Sequence, residues 1–141
     1  MPAALINQLL IAGVVIAATT IIHAISAVMM REISHTIRHG KPLGDVSGVI
    51  ALVFVSLWLI GTHFLSACVW AVAYVWAGVS PHPEEGLYFA LTTYTTLGFG
   101  DILAPEGFRL LTGLASLNGL LLFGLSSAIL VDAASWLRRS E

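Results

Sequence analysis

Three stretches of this chain contain no Asp, Glu, Lys or Arg: Met1 to Met30, Val46 to Pro83 and Leu110 to Val131. Each is longer than the roughly 20 residues that carry a helix across a bilayer core about 30 Å thick. With 57% of 141 residues apolar and only 10% charged, and a mean hydropathy of +0.91, the composition lies outside that of ordinary soluble domains. The sequence predicts an all-α membrane protein with three transmembrane helices in a lipid bilayer. A formal charge of −2, with basic residues scattered singly or in pairs, excludes a nucleic-acid-binding patch. The lone Cys68 has no partner for an intrachain disulfide or a thiolate metal site, and it reads as a small buried apolar residue.

Positive charge in short loops marks the cytoplasmic side. Arg31, Arg38 and Lys41 follow the first stretch and Arg138 and Arg139 follow the third, whereas the loop after the second carries Glu84, Glu85, Asp101 and Glu106 with Arg109. The N-terminus is therefore expected outside and the C-terminus in the cytoplasm. The first stretch lacks the early Lys or Arg of a signal peptide, so a retained helix is expected over 1–30. A cytoplasmic or interfacial connector over 31–45 follows, whose first turns can continue as helix before Gly40, Pro42 and Gly44 break it. The remainder, 46–141, divides into an outer helix at 46–79, a short helix at 84–95, an irregular segment at 96–101 and an inner helix at 108–135.

The segment between the second and third spans is too apolar for an external loop. From Glu84 it reads Glu-Glu-Gly-Leu-Tyr-Phe-Ala-Leu-Thr-Thr-Tyr-Thr, about three helical turns with acids in the first turn, where the helix dipole favours them. Such a half-length helix is tolerated at membrane depth only where protein or a wet cavity surrounds it. It leads into Thr96-Leu97-Gly98-Phe99-Gly100-Asp101. Glycine accepts positive φ, so alternating glycines let successive carbonyl oxygens turn to one side, where they can replace a cation's hydration shell. One row cannot enclose an ion, whereas four chains about a rotation axis give rings of four oxygens.

At these residues the chain resembles the pore module of the potassium channel superfamily, of the bacterial two-transmembrane, pore-loop type, with an additional N-terminal helix. The resemblance covers about Val46 to Trp136, and its core is Tyr-Phe-Ala-Leu-Thr-Thr-Tyr-Thr-Thr-Leu-Gly-Phe-Gly-Asp, similar to a Thr-rich pore helix followed by a Thr-Val-Gly-Tyr-Gly-Asp filter. It implies a re-entrant pore helix, a selectivity filter and a homotetramer in a prokaryotic plasma (inner) membrane. It also implies that the carbonyls of Thr96, Leu97, Gly98 and Phe99 bind K⁺, with the Thr96 hydroxyl as the innermost ring. K⁺ in the filter is the one ion expected, and no other cofactor. Thr92, Thr95, Gly100 and Asp101 would support the filter, and the Leu97 and Phe99 side chains would pack behind it. Two departures stand out: Phe99 replaces the commoner Tyr and lacks its hydroxyl, and Thr92 replaces the carboxylate that braces Asp101 in some bacterial members.

In the third span the resemblance puts Gly119 at the position of an inner-helix hinge, and glycine's poor helix propensity makes a bend there plausible. Asn118 either bonds to a neighbouring helix or lines a wet cavity beneath the filter. The other small residues of this span serve close helix packing. His63 reads as a packed residue bonded to a neighbour, and His35 and His39 as titrating interfacial side chains. Asp132, Arg138 and Arg139 read as surface electrostatics. No nucleophile-base-orienter set, phosphate loop or metal cluster is visible, so the sequence does not point to an enzyme. The expected function is selective, passive K⁺ conduction. Its alternatives are a non-selective monovalent cation channel and a non-conducting accessory subunit that holds a membrane partner through the first helix. The regular arginines of a voltage sensor are missing from every span, and a ligand-binding module after the third span is not expected.

Overall fold

The computed structural model describes residues 2–38 and 45–138. Helix α1 runs Pro2–Arg38, α2 Asp45–Ala77, α3 Pro83–Tyr94 and α4 Arg109–Arg138, with a turn of 3₁₀ helix at Glu106–Phe108. No β-sheet pairing occurs among the described residues. Three helical stretches, Ala3–Glu32, Val46–Ala77 and Glu106–Ser135, are long and apolar enough to cross a membrane. The first helix does not stop near residue 30 but continues to Arg38, carrying the backbone of His35 with it. His39, Gly40, Lys41, Pro42, Gly44 and Arg139 lie outside the described residues. Cys68 is half-buried rather than fully enclosed.

Local chemistry sets the ends that matter. At the end of α2, Gly78 takes φ +78, its N–H bonds the Val75 carbonyl at 3.1 Å and the Val79 N–H bonds the Tyr74 carbonyl at 2.8 Å. This pair of bonds closes a helix in a left-handed cap that glycine adopts without strain. Pro83 then opens α3 at its first turn, with Glu84 and Glu85 beside it, where a missing N–H costs nothing and negative charge meets the positive helix end.

Helix α1 buries Gln8, Ala12, Val15, Thr19, His23, Ser26 and Met30, in steps of three and four that form one stripe along the helix. Most of these residues are polar. Apolar burial does not drive helices together in lipid, so small and hydrogen-bonding residues carry the contact. The Leu111 N–H, one of the free donors in the first turn of α4, donates to Gln8 Oε1 at 3.2 Å. The Thr19 hydroxyl lies 2.9 Å from Asn118 Oδ1, and Ser26 Oγ lies 2.9 Å from Thr62 Oγ1 and accepts from Trp58 Nε1 at 2.7 Å. Met30 closes the stripe against Val55, Leu59, Ile129 and Leu130. The opposite face, including Leu10, Val14, Ile21, Ile25 and Val28, is exposed, as a lipid-facing helix requires.

Of the two readings of Asn118, the structure places the first. Its side chain is 3% exposed, and Oδ1 also accepts from the Trp70 indole at 3.0 Å. An indole can only donate, which fixes the amide with oxygen toward Trp70. Asn118 thus ties α1, α2 and α4 together rather than lining a cavity, and its Nδ2 has no partner among the described residues.

Helix α3 runs back along α2. Gly86 lies against Val75, the Tyr74 hydroxyl is 3.0 Å from Thr93 Oγ1, and the Tyr94 hydroxyl reaches His63 Nδ1 at 3.0 Å. His63 precedes Ala77 by about four helical turns, roughly 20 Å, so α3 ends level with the middle of α2. On its other side, Ser116 of α4 donates to the Thr93 carbonyl at 2.7 Å. Gly119 meets the end of α3 directly: a Cβ there would collide with the Tyr94 carbonyl oxygen and stand 2.8 Å from its carbon and 3.1 Å from Tyr94 Cδ2. The hinge expected at Gly119 is not expressed as a break, since α4 is continuous from Arg109 to Arg138. The residue is a point at which the backbones of α3 and α4 meet.

Substitutions at Asn118 and Gly119, with Gly61 as the control, test this packing. Asn118→Leu strands the buried Trp70 N–H and should cost about 1–3 kcal/mol in thermal or denaturant unfolding in detergent, with Trp70→Phe restoring most of the loss in the double variant. Gly119→Ala should destabilise by about 1–3 kcal/mol through forced separation of α3 and α4. Gly61→Ala, where a Cβ meets nothing within 4 Å, should leave stability equal or higher by up to about 1 kcal/mol.

Candidate functional site

The segment after α3 reverses direction within two residues and climbs back beside the helix it has just left. Thr95 caps α3 with φ −82 and ψ 0, and its hydroxyl donates to the Leu91 carbonyl at 2.7 Å. The Thr95, Thr96 and Gly98 N–H groups bond the carbonyls of Leu91, Thr93 and Thr92 at 3.0, 3.0 and 3.1 Å. The open carbonyls at the end of α3 are thereby filled by the segment itself, which pins its start to the negative end of the helix dipole.

Beyond that point the backbone alternates. Thr96, Gly98 and Gly100 have φ of +61, +52 and +81, while no positive φ occurs at Leu97 or Phe99. Two of the three are the glycines whose freedom the sequence suggested. Thr96 was not foreseen: a β-branched residue in the left-handed region is strained, and such strain persists only where the surroundings hold it. Alternation of this kind lets successive carbonyls turn toward one side of a segment, as an array of oxygens without side-chain charge would require. Among the described residues no group of three or more His, Cys, Asp or Glu could hold a metal ion. Backbone oxygen ligands suit hard cations.

The outer end of the strand is fastened by a residue that sequence reasoning missed. The Tyr88 hydroxyl donates to Asp101 Oδ2 at 2.6 Å, and Asp101 Oδ1 accepts the Ile102 N–H at 3.1 Å. The hydrogen bond from Tyr88 holds the Asp101 carboxyl below its ordinary range, and the same bond raises the Tyr88 phenol above its own. Thr92, one turn further along α3, is buried and donates to the Phe89 carbonyl at 3.0 Å, so it takes no part in holding Asp101. The brace absent at position 92 is made instead from 88. The signal lay in the helical spacing, since residues four apart share a face of α3 and Tyr88 is the donor on the face of Thr92.

The expected site residues Thr95, Thr96, Leu97, Gly98, Phe99, Gly100 and Asp101 are therefore contiguous on one exposed strand. The Leu97 and Phe99 side chains are 57% and 66% exposed. Within a single chain these two apolar groups are bare. Asn118 and Gly119 do not belong to the strand. They stand behind it, against Trp70 and the Tyr94 carbonyl.

The sequence profile of a family described as ion channel matches residues 46–135, from the start of α2 to the last turns of α4, and leaves α1 outside. Searches among curated proteins and among solved structures found no match. The matched region takes in both long helices that flank the strand, the short helix that anchors it and the strand itself, and on that extent the chain belongs to the ion-channel family.

Proposed function

We propose that this chain is one subunit of a homotetrameric, potassium-selective channel that conducts K⁺ passively across a prokaryotic plasma membrane, with its N-terminus outside and its C-terminus in the cytoplasm. The observation that carries the reading is the alternation of positive φ at Thr96, Gly98 and Gly100 on a strand fixed at both ends. Four such strands about an axis would offer rings of carbonyl oxygens from Thr96, Leu97, Gly98 and Phe99, with Thr92, Thr95, Gly100 and Asp101 as support. The exposure of Leu97 and Phe99 supports the same reading, because neighbouring copies would cover two large apolar groups that one chain leaves bare. Helix α3, too short to span, would enter the bilayer from the outside and be sheltered by α2 and α4.

In reconstituted planar bilayers with asymmetric K⁺ and Na⁺, currents should reverse near the K⁺ equilibrium potential and be blocked by Ba²⁺. Equal permeability for the two ions would replace this reading with a non-selective channel. Gly98→Ala is a sharp variant because a Cβ there meets nothing within 4 Å while φ is +52, so its cost is conformational, about 1–2 kcal/mol per copy. Conduction should be lost while the tetramer survives on a sizing column.

Tyr88→Phe removes the tie to Asp101 and should make current decline faster during sustained conduction, with assembly intact. The sign of its pH dependence follows from the two shifts. A lowered carboxyl keeps its contribution until pH falls below the ordinary value of 3.8, and a raised phenol keeps its proton until pH rises past 10.0. External pH between about 5 and 9 should therefore leave the tie intact in the wild type, and a wild-type decline rate that already matches Tyr88→Phe near pH 5 would count against it.

A further inference from the structure

His63 stands near the middle of α2, 9% exposed, with both ring nitrogens engaged on different elements. Nδ1 lies 3.0 Å from the hydroxyl of Tyr94, the last residue of α3. Nε2 lies 2.8 Å from the hydroxyl of Ser126 on α4. One face of the ring is stacked on Phe123 of α4, with centroids 3.9 Å apart and planes 9° from parallel. The His23 ring of α1 stands 4.6 Å away, tilted by 58°. One side chain therefore touches the end of the short helix, the inner helix and α1.

A neutral imidazole has one N–H and one lone pair. If the Tyr94 hydroxyl donates to Nδ1, then Nε2–H donates to Ser126; if Ser126 donates to Nε2, then Nδ1–H donates to Tyr94. A hydroxyl can take either role, but the two hydroxyls cannot choose independently, because reversing one bond requires the other tautomer and reverses the second. Neither the surrounding spans of α1, α2 and α4 nor the Leu87–Gly100 segment contains Asp, Glu, Lys or Arg, and His23 and Tyr94 are the other titratable side chains in contact with the ring. A bond broken here is replaced by no charged group; the Tyr94 hydroxyl keeps a hydrogen bond to Ser66, so the desolvation cost falls on the His63 nitrogen and the Ser126 hydroxyl.

We propose that His63 is a positioning residue of the channel, which holds Tyr94 and Ser126 on one ring and so makes the placement of Thr95 and Thr96 depend on where α4 stands. The inference rests on the channel reading above. Tyr94 immediately precedes the strand, and its carbonyl abuts Gly119 of the same α4. A displacement of α4 at Phe123 and Ser126 removes the stacking partner and one hydrogen bond together, and the remaining bond to Tyr94 loses the tautomer that fixed its direction. The end of α3 then answers to the inner helix as well as to α2.

The test uses the full chain as wild type, His63→Leu, His63→Gln, Tyr94→Phe, Ser126→Ala and the His63→Leu/Tyr94→Phe double variant, recorded as single channels in symmetric K⁺. Thermal unfolding is followed on the same samples. Open probability in His63→Leu should change about fivefold or more with unit conductance unchanged, Tyr94→Phe should reproduce the change, and the double variant should go no further than either single one. His63→Gln, whose amide supplies both a donor and an acceptor, should recover most of the wild-type open probability, a rescue that loss of ring packing alone would not give. Additive effects in the double variant, or gating changes that follow only the loss of thermal stability without rescue, would overturn the proposal. Should His63→Leu fail to assemble, Tyr94→Phe and Ser126→Ala decide alone: similar shifts in both uphold the coupling, and wild-type gating in either removes it. Intact wild-type protein that carries no current defeats the channel reading and this inference with it, whereas conducting wild type with insensitive variants defeats the inference only.

Discussion

Hydrogen bonds between helices, made where no water competes for them, are what the rest of this structure depends on. Gln8 to Leu111, Thr19 and Trp70 to Asn118, Ser26 to Thr62 and Trp58, and His63 to Tyr94 and Ser126 fall along one seam from end to end of the helix assembly. Lipid gives apolar side chains no reason to prefer one another, so these bonds, with the small residues beside them, select the register of α1, α2 and α4. Individually each contributes about 0.6 to 2 kcal/mol. Together they fix the frame against which α3 is held, and α3 in turn fixes the strand.

The frame and the strand solve opposite problems. The frame removes freedom, while the strand must keep an unfavourable backbone from relaxing. Thr96 at φ +61 would not stay there on propensity alone. It is held because the N–H groups of Thr95, Thr96 and Gly98 saturate the end of α3 and because Tyr88 fastens Asp101 at the far end. Strain at the start and a clasp at the finish leave the middle of the strand, Leu97 to Gly100, with its carbonyls unclaimed by side chains.

The sequence announced much of this because the relevant signals are local. Absence of charge located the three long helices, acids and Pro83 marked the start of α3, and Gly98 and Gly100 marked two of the positive-φ sites. What escaped it depends on partners far away along the chain. Gln8 meets Leu111 and Thr19 meets Asn118 across about a hundred residues, and periodicity cannot choose between equally spaced polar residues on facing helices. The polar stripe of α1 could have been counted from its steps of three and four, yet a helix so apolar in average composition drew attention to its outer face. The contact at Gly119 escaped notice for a related reason: helix propensity describes what glycine does to its own helix, whereas here the missing side chain also makes room for the backbone of another.

That contact also sets which way α4 can travel. With its first turn clasped by Gln8 and its middle resting on the Tyr94 carbonyl, the helix is a rod with a fulcrum at Gly119, stopped against closing onto α3 and tied to α1 and α2 through Asn118 and Ser126. From Gly119 to Arg138 the rod measures about 28 Å, so a tilt of roughly 10° would carry its Arg138 end about 5 Å while the residues at the pivot barely stir. A long lever on one side and near stillness beside the strand would follow from the same missing methyl group.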